Sequence, residues 1–202
     1  MLEQRLQQQF YDTADALVQA GPLLAVPVAR AAEAVLNAVT AGGRVWLWGC
    51  GPAQAEAQLA AALWTGHAQQ ARPALPALPI APDVLWSAPD GLGLSSPPQA
   101  LARHLQAVGG AGDVLVMFED ASGLTAWREA VVEAAHAQDM SVVLWAAVKA
   151  GHLDPQGLDG LWDTDVVVPV PADRTAHHAS LSRAAWCALV DAVDLQLLGE
   201  LE

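Results

Sequence analysis

The residues with chemistry to offer gather in two short stretches. The first is Gly49-Cys50-Gly51-Pro52-Ala53, a glycine-rich turn between an apolar run and an alanine-rich one. The second is Glu119-Asp120-Ala121-Ser122-Gly123-Leu124-Thr125. Each leads from an expected strand into an expected helix, where orphan backbone N–H groups favour an anion. Two such turns together suit a phosphorylated small molecule better than a dinucleotide. The third glycine of the dinucleotide fingerprint is absent, because Gln54 stands there, and no Gly-Lys-Ser/Thr follows to make an ATPase phosphate loop. Two readings of Gly49 and Gly51 stay open: a cradle for an anion, or the needs of a tight turn alone. Cys50 likewise reads as a thiol activated at a helix N-terminus or as a small turn residue.

The other polar groups say less. None of the six histidines forms a His-x-x-x-His pair, and the two cysteines, Cys50 and Cys187, lack a zinc spacing. No metal and no cofactor is expected. His177-His178 stands at the start of the last helix, facing either a cleft or solvent. Cys187 reads as a core residue.

The elements that must hold these turns follow from periodicity. Residues 2–20 and 27–40 read as two helices separated by Gly21-Pro22. Four short apolar runs read as strands: Arg44–Gly49, Asp113–Phe118, Ser141–Trp145 and Asp165–Pro169. Helices are expected from Pro52 to Gly66, from Pro98 to Val108, from Thr125 to Gln138 and from Ala176 to Leu198. In the last, Leu181, Ala185, Ala188, Ala192 and Leu195 mark the buried face. Residues 72–98 hold more than half of the 13 prolines and read as irregular chain with one short strand, Ala77–Ile80. Strands alternating with helices make an α/β fold, a parallel sheet with helices on both faces, in a single domain over 1–202 with residues 1–41 as a helical extension.

Composition narrows the class. The 202 residues carry 9 Lys+Arg against 22 Asp+Glu, a formal charge of −13, which disfavours nucleic acid and anionic membrane as direct ligands. The hydrophobic share is 53% and the mean hydropathy +0.28, so a large core is within reach. No uninterrupted apolar run reaches the ~18 residues of a membrane span. The N-terminus has no signal-peptide pattern, so a cytoplasmic protein is expected. Of the 8 tryptophans, Trp46, Trp48, Trp145 and Trp186 fall on buried elements, whereas Trp64, Trp127 and Trp162 fit either an interface or the core.

The stretch from Ala32 to Gly66 resembles the phosphoheptose isomerase branch of the sugar-isomerase (SIS) domain family. The likeness lies in Gly49-Cys50-Gly51-Pro52-Ala53-Gln54 followed by Ala57-Gln58-Leu59-Ala60-Ala61-Ala62-Leu63-Trp64. Gly109–Phe118 resembles the family's third-strand motif, Gly123-Leu124-Thr125 its phosphate turn, and the helix with Cys187, Asp191 and Asp194 its last helix. The resemblance implies a five-stranded parallel sheet of flavodoxin-like order in a three-layer sandwich with two N-terminal helices. It also implies a homo-oligomer, dimer or tetramer, and a sugar phosphate bound near Gly49, Cys50, Gly51, Ala53, Ser122, Gly123, Thr125 and His177.

The family's chemistry is not matched residue for residue. An aldose–ketose isomerase moves a proton between neighbouring carbons and needs a base and an acid. The family's glutamate falls on Leu63 and its zinc-binding histidine on Leu59. The later Gln-Glu-x-His falls on Ala179-Ser180-Leu181-Ser182, and the last histidine on Cys187. The expectation is therefore no catalytic residue and a binding role. The partner is a protein, as in the related branch that associates with the bacterial replication initiator, or a weakly held sugar phosphate. The alternative is an isomerase using rearranged groups such as Glu56, His177 or Glu119.

Overall fold

A computed structural model of the chain describes residues 1–49, 51–66, 71–80, 97–119, 125–149, 160–171 and 173–199. Helix α1 (Leu2–Thr40) runs unbroken for 39 residues with Pro22 and Pro27 inside it, so the two expected N-terminal helices are one. A proline removes one N–H and crowds the carbonyl four residues back. Those carbonyls belong to Val18 and Leu23, which are exposed. Water can satisfy them, so the helix is not forced to end. The buried stripe begins only at Ala20 and continues through Leu24, Val28, Ala31, Ala32 and Val35. Over an 18-residue window α1 also meets the length and apolarity of a membrane span, which counting uninterrupted apolar runs does not reveal. Its buried face packs on the last helix and the sheet.

The sheet is built from β1 (Val45–Gly49), β2 (Ala77–Pro79), β3 (Val114–Phe118), β4 (Ser141–Val148) and β5 (Val166–Pro171). Its order is β2-β1-β3-β4-β5, every pair parallel. Val45 pairs with Val114, and Val114 with Ser141, so the central strands start level, while β4 runs three residues past the end of β3. Alternate side chains point to opposite faces. Val45, Leu47, Val116, Phe118 and Trp145 meet α1, α2 (Gln54–Thr65) and α5 (Thr175–Leu198). Trp46, Trp48, Leu115, Met117 and Leu144 meet α3 (Pro97–Val108) and α4 (Thr125–His136).

The four tryptophans assigned to buried elements are buried, and so is Trp64, which packs against Trp186 in the core and not at a surface. Trp162 stays half exposed and lies flat on His136 at 3.9 Å, and Trp127 stacks on Trp48 at 5.3 Å. On α5 the buried face is Leu181, Ser182, Ala185, Trp186, Leu189 and Val193. Leu195, expected inside, is exposed, as is Ala188. Cys187 is a half-buried free thiol.

Candidate functional site

The first turn shows why its glycines are there. A Cβ on Gly49 would stand 2.1 Å from the carbonyl oxygen of Ala53, so only glycine lets the turn fold back on the strand end. Gly51 has φ +54, a left-handed conformation that glycine adopts without strain. Residues Gly51–Ala53 then form a single 3-10 turn leading into α2. The Gly49 N–H is not free for a ligand: it donates to Oε1 of Gln54 at 3.1 Å, while Nε2 of Gln54 donates to the Ile80 carbonyl at 2.8 Å. The residue standing in place of the third fingerprint glycine thus ties the ends of β1 and β2 together.

Beside this turn, a cavity of about 50 Å³ lies where three elements converge. Pro52 and Ala53 come from the 3-10 turn and Glu56 from the start of α2, Phe118 and Glu119 from the end of β3, and Thr175, His178, Ala179 and Ser182 from the first turns of α5. Helix N-termini favour negative charge. Here the chain supplies its own, with Glu56 in the first turn of α2.

Glu119 is buried, its side chain only 3% exposed. Its Oε1 accepts from Nε of Arg128 on α4 at 2.6 Å. Its backbone carbonyl lies 2.9 Å from Nε2 of His178. A carbonyl only accepts, so Nε2 carries the hydrogen and donates. Among the described residues Oε2 of Glu119 and Nδ1 of His178 are buried without a hydrogen-bond partner, as are Nε1 of Trp64, Nε1 of Trp145 and Oδ2 of Asp194 elsewhere in the core. Glu56 pairs with Arg183 across the mouth, Nη2 to Oε1 at 2.9 Å.

Gly49, Gly51 and Ala53 lie together at the first turn, and Ala53 lines the cavity. Thr125 is the first residue of α4. Cys50, Ser122 and Gly123 lie outside the described residues, as does Asp120. Of the histidine pair, His178 enters the cavity; it is buried, not a solvated helix end. His177 is half-buried and sits close enough to Asp12 to help lower its carboxyl, behind the larger effect of the Gln8 amide. The sequence contained a signal for His178. Three residues back from Leu181 and four back from Ser182 both land on 178, whereas 177 is reached from Leu181 alone.

A zinc centre does not fit the positions that the resemblance assigns. Leu59 is half-buried on α2, Leu63 packs against the core, Ala179 lines the cavity, and Cys187 offers a lone thiol. Two leucines, an alanine and one thiol are not a zinc donor set. Among the described residues no three His, Cys, Asp or Glu side chains gather as one.

A parallel β2-β1-β3-β4-β5 sheet between helical layers, with a cavity beyond the carboxyl ends of its strands, defines an α/β sandwich of flavodoxin-like order. The chain belongs to the SIS domain family, whose pattern matches residues 9–145. It is 40% identical over 201 residues to a phosphoheptose isomerase of Methylibium petroleiphilum, covering 99% of this chain and 97% of that one. Against a phosphoheptose isomerase of Thiobacillus denitrificans the identity is 32%, with 98% of each chain covered. Among solved structures it is similar to phosphoheptose isomerases of Francisella tularensis (TM-score 0.81, 25% identity, 96% and 98% covered) and Neisseria gonorrhoeae (TM-score 0.75, 28% identity, 96% and 99% covered). The expected fold and family resemblance are thereby borne out.

Proposed function

We propose that this SIS-domain chain works by binding and not by isomerisation: a cytoplasmic homo-oligomer that holds a protein partner, a sugar phosphate weakly, or both. One observation carries the reading. The position that the resemblance assigns to the family's catalytic glutamate is Leu63, a half-buried side chain packed against the hydrophobic core. A methyl-bearing side chain there can neither take nor give a proton.

The outer surface supports the association half of the reading. The first half of α1 exposes Leu2, Leu6, Phe10, Tyr11 and Val18. Where α1 crosses α5, an apolar groove of about 360 Å³ is lined by Leu17, Leu24, Val28 and Leu181 among small alanines. A second copy of the chain is the occupant that reading implies, and a basic protein such as the replication initiator suits a chain of charge −13.

The second reading, an active isomerase of sedoheptulose 7-phosphate, is favoured by the full-length 40% identity to a protein named phosphoheptose isomerase. Incubation with sedoheptulose 7-phosphate, with and without added zinc, separates the two when followed by NMR. The binding reading expects no product under either condition. Steady turnover that is lost in Glu119→Gln or Glu56→Gln would establish the second.

A further inference from the structure

The apolar stripe of α1 runs on past the point where the domain covers it. Ala20, Leu24, Val28, Ala31 and Val35 are buried against the rest of the chain. Steps of three or four residues back from Ala20 reach Leu17, Thr13, Phe10, Leu6 and Leu2, on the same face of the helix. Of these, Leu17, Phe10, Leu6 and Leu2 are exposed. Large apolar side chains left bare in one row mark an interaction surface.

The covered part of the same helix carries the complement. The groove between α1 and α5 has Ala20, Leu24 and Val28 on one side and Ala184, Ala188 and Ala192 on the other. None of its lining residues is charged, so a basic partner finds no carboxylate in it, whereas an apolar helix face fits. One helix thus bears a row of large side chains without a hole and a hole walled by small ones. A surface holding both halves pairs with its own copy about a two-fold axis. The register follows from the stripe. Reversal of α1 about Asp15 brings Leu2 onto Val28, Leu6 onto Leu24, Phe10 onto Ala20 and Thr13 onto Leu17, so each stripe position meets another. The largest side chain, Phe10, falls on the smallest, Ala20.

We infer that two copies of the chain pair through antiparallel α1 helices, the first half of each lying in the α1–α5 groove of the other, with the two-fold axis near Asp15. The inference rests on the homo-oligomer reading of the same groove. It adds which segment fills the groove and in which direction.

Analytical ultracentrifugation of the full chain at micromolar concentration tests it, beside two variants at exposed positions. Leu6→Glu combined with Phe10→Glu charges the bare row, and Ala184→Glu charges the groove. Each is expected to weaken self-association at least tenfold with the far-UV circular dichroism unchanged. Direction is read from nitroxide labels at Val26→Cys, on the exposed outer face of α1, with Cys50 and Cys187 changed to Ser. In the antiparallel pair two such labels lie more than about 30 Å apart, at a rise of about 1.5 Å per residue on either side of the axis. Side-by-side parallel helices would bring them to about 10 Å. Self-association that neither variant weakens, or a label separation near 10 Å, overturns the inference and leaves the homo-oligomer reading standing. A parent chain that sediments as a monomer overturns both, so the two failures are distinguishable.

Discussion

The two ends of the sheet treat buried carboxylates in opposite ways. At the amino ends of the strands, Asp113 is wrapped on both oxygens. Oδ1 accepts from the Arg44 backbone at 2.9 Å, and Oδ2 accepts from Arg44 Nη2 at 2.9 Å, the Trp46 indole at 2.8 Å and the Gly110 N–H at 3.2 Å. Asp165 is closed in the same way, taking the Val142 and Trp162 N–H groups at 2.7 Å and the His136 ring at 2.8 Å. At the carboxyl end, Glu119 has one oxygen bound and one open, beside a histidine with one nitrogen open. Fully satisfied networks fix strand starts and rigidify the fold. Glu119 is not alone in being half-satisfied: Asp194, fully buried on α5, also has one oxygen bound and the other unpartnered among the described residues.

The firmest attempt to break that contrast targets Asp194, a buried aspartate that is away from both strand ends and has only one oxygen bound. Arg72 and Asp194 pair at 2.5 Å, with side chains 1% and 0% exposed, and Arg72 also donates to the Trp64 carbonyl at 2.9 Å. This joins the segment before β2 to α2 and α5. Removing one partner leaves a buried charge uncompensated. Arg72→Ala is expected to cost about 3–5 kcal/mol, and Arg72→Ala with Asp194→Asn distinctly less. Urea unfolding of both variants measures it. A loss below about 1 kcal/mol for the single change would show that such pairs do not carry the fold.

Asp113 gives a sharper test through pH. Burial pushes its carboxyl up, but hydrogen bonds from Trp46 and Arg44 and the Arg44 charge outweigh that and hold it below its ordinary value of 3.8. A depressed folded value means the stabilisation is whole above the unfolded value and fades as pH falls through the folded one. Asp113→Asn is thus expected to cost about 1–3 kcal/mol at pH 7. That gap should narrow once the pH drops below 3.8, the carboxyl's ordinary value. An unchanged gap at pH 3 and pH 7 would mean that shape, not charge, makes the network.

Much of this fold was legible. The runs at Val45–Gly49 and Val114–Phe118 are continuous because both faces of a parallel strand are covered, and the sequence shows that directly. Helix α1 departs from the sequence pattern because Gly21-Pro22 and Pro27 are breakers by local rule. The rule yields where the orphaned carbonyls face water. The site was only half legible. Gly49 and Gly51 announce a turn, but that Gln54 uses up the Gly49 N–H depends on a contact between the ends of two strands. Leu195 was placed inside by period alone, yet the large side chains Trp186 and Leu189 set the phase of α5 and turn Leu195 outward. Arg72–Asp194 spans residues too far apart for any local pattern to pair.

That phase of α5 decides between two adjacent histidines, and the smallest expected effect follows from it. His177 sits near Asp12, whose carboxyl is bound by Gln8 at 2.8 Å and by Arg174 at 3.2 Å. Asp12 keeps both partners when the imidazole goes. His177→Ala is therefore expected to change stability by no more than about 0.5 kcal/mol. The Ala53 and Glu119 amide signals should stay in place. His178 differs because its ring holds the Glu119 carbonyl from inside the cavity. Movement of the Glu119 amide in His177→Ala, as large as in His178→Phe, would place both histidines in one site. The contrast between the closed and open ends of the sheet would then extend outward to the Asp12–Arg174 corner of α1.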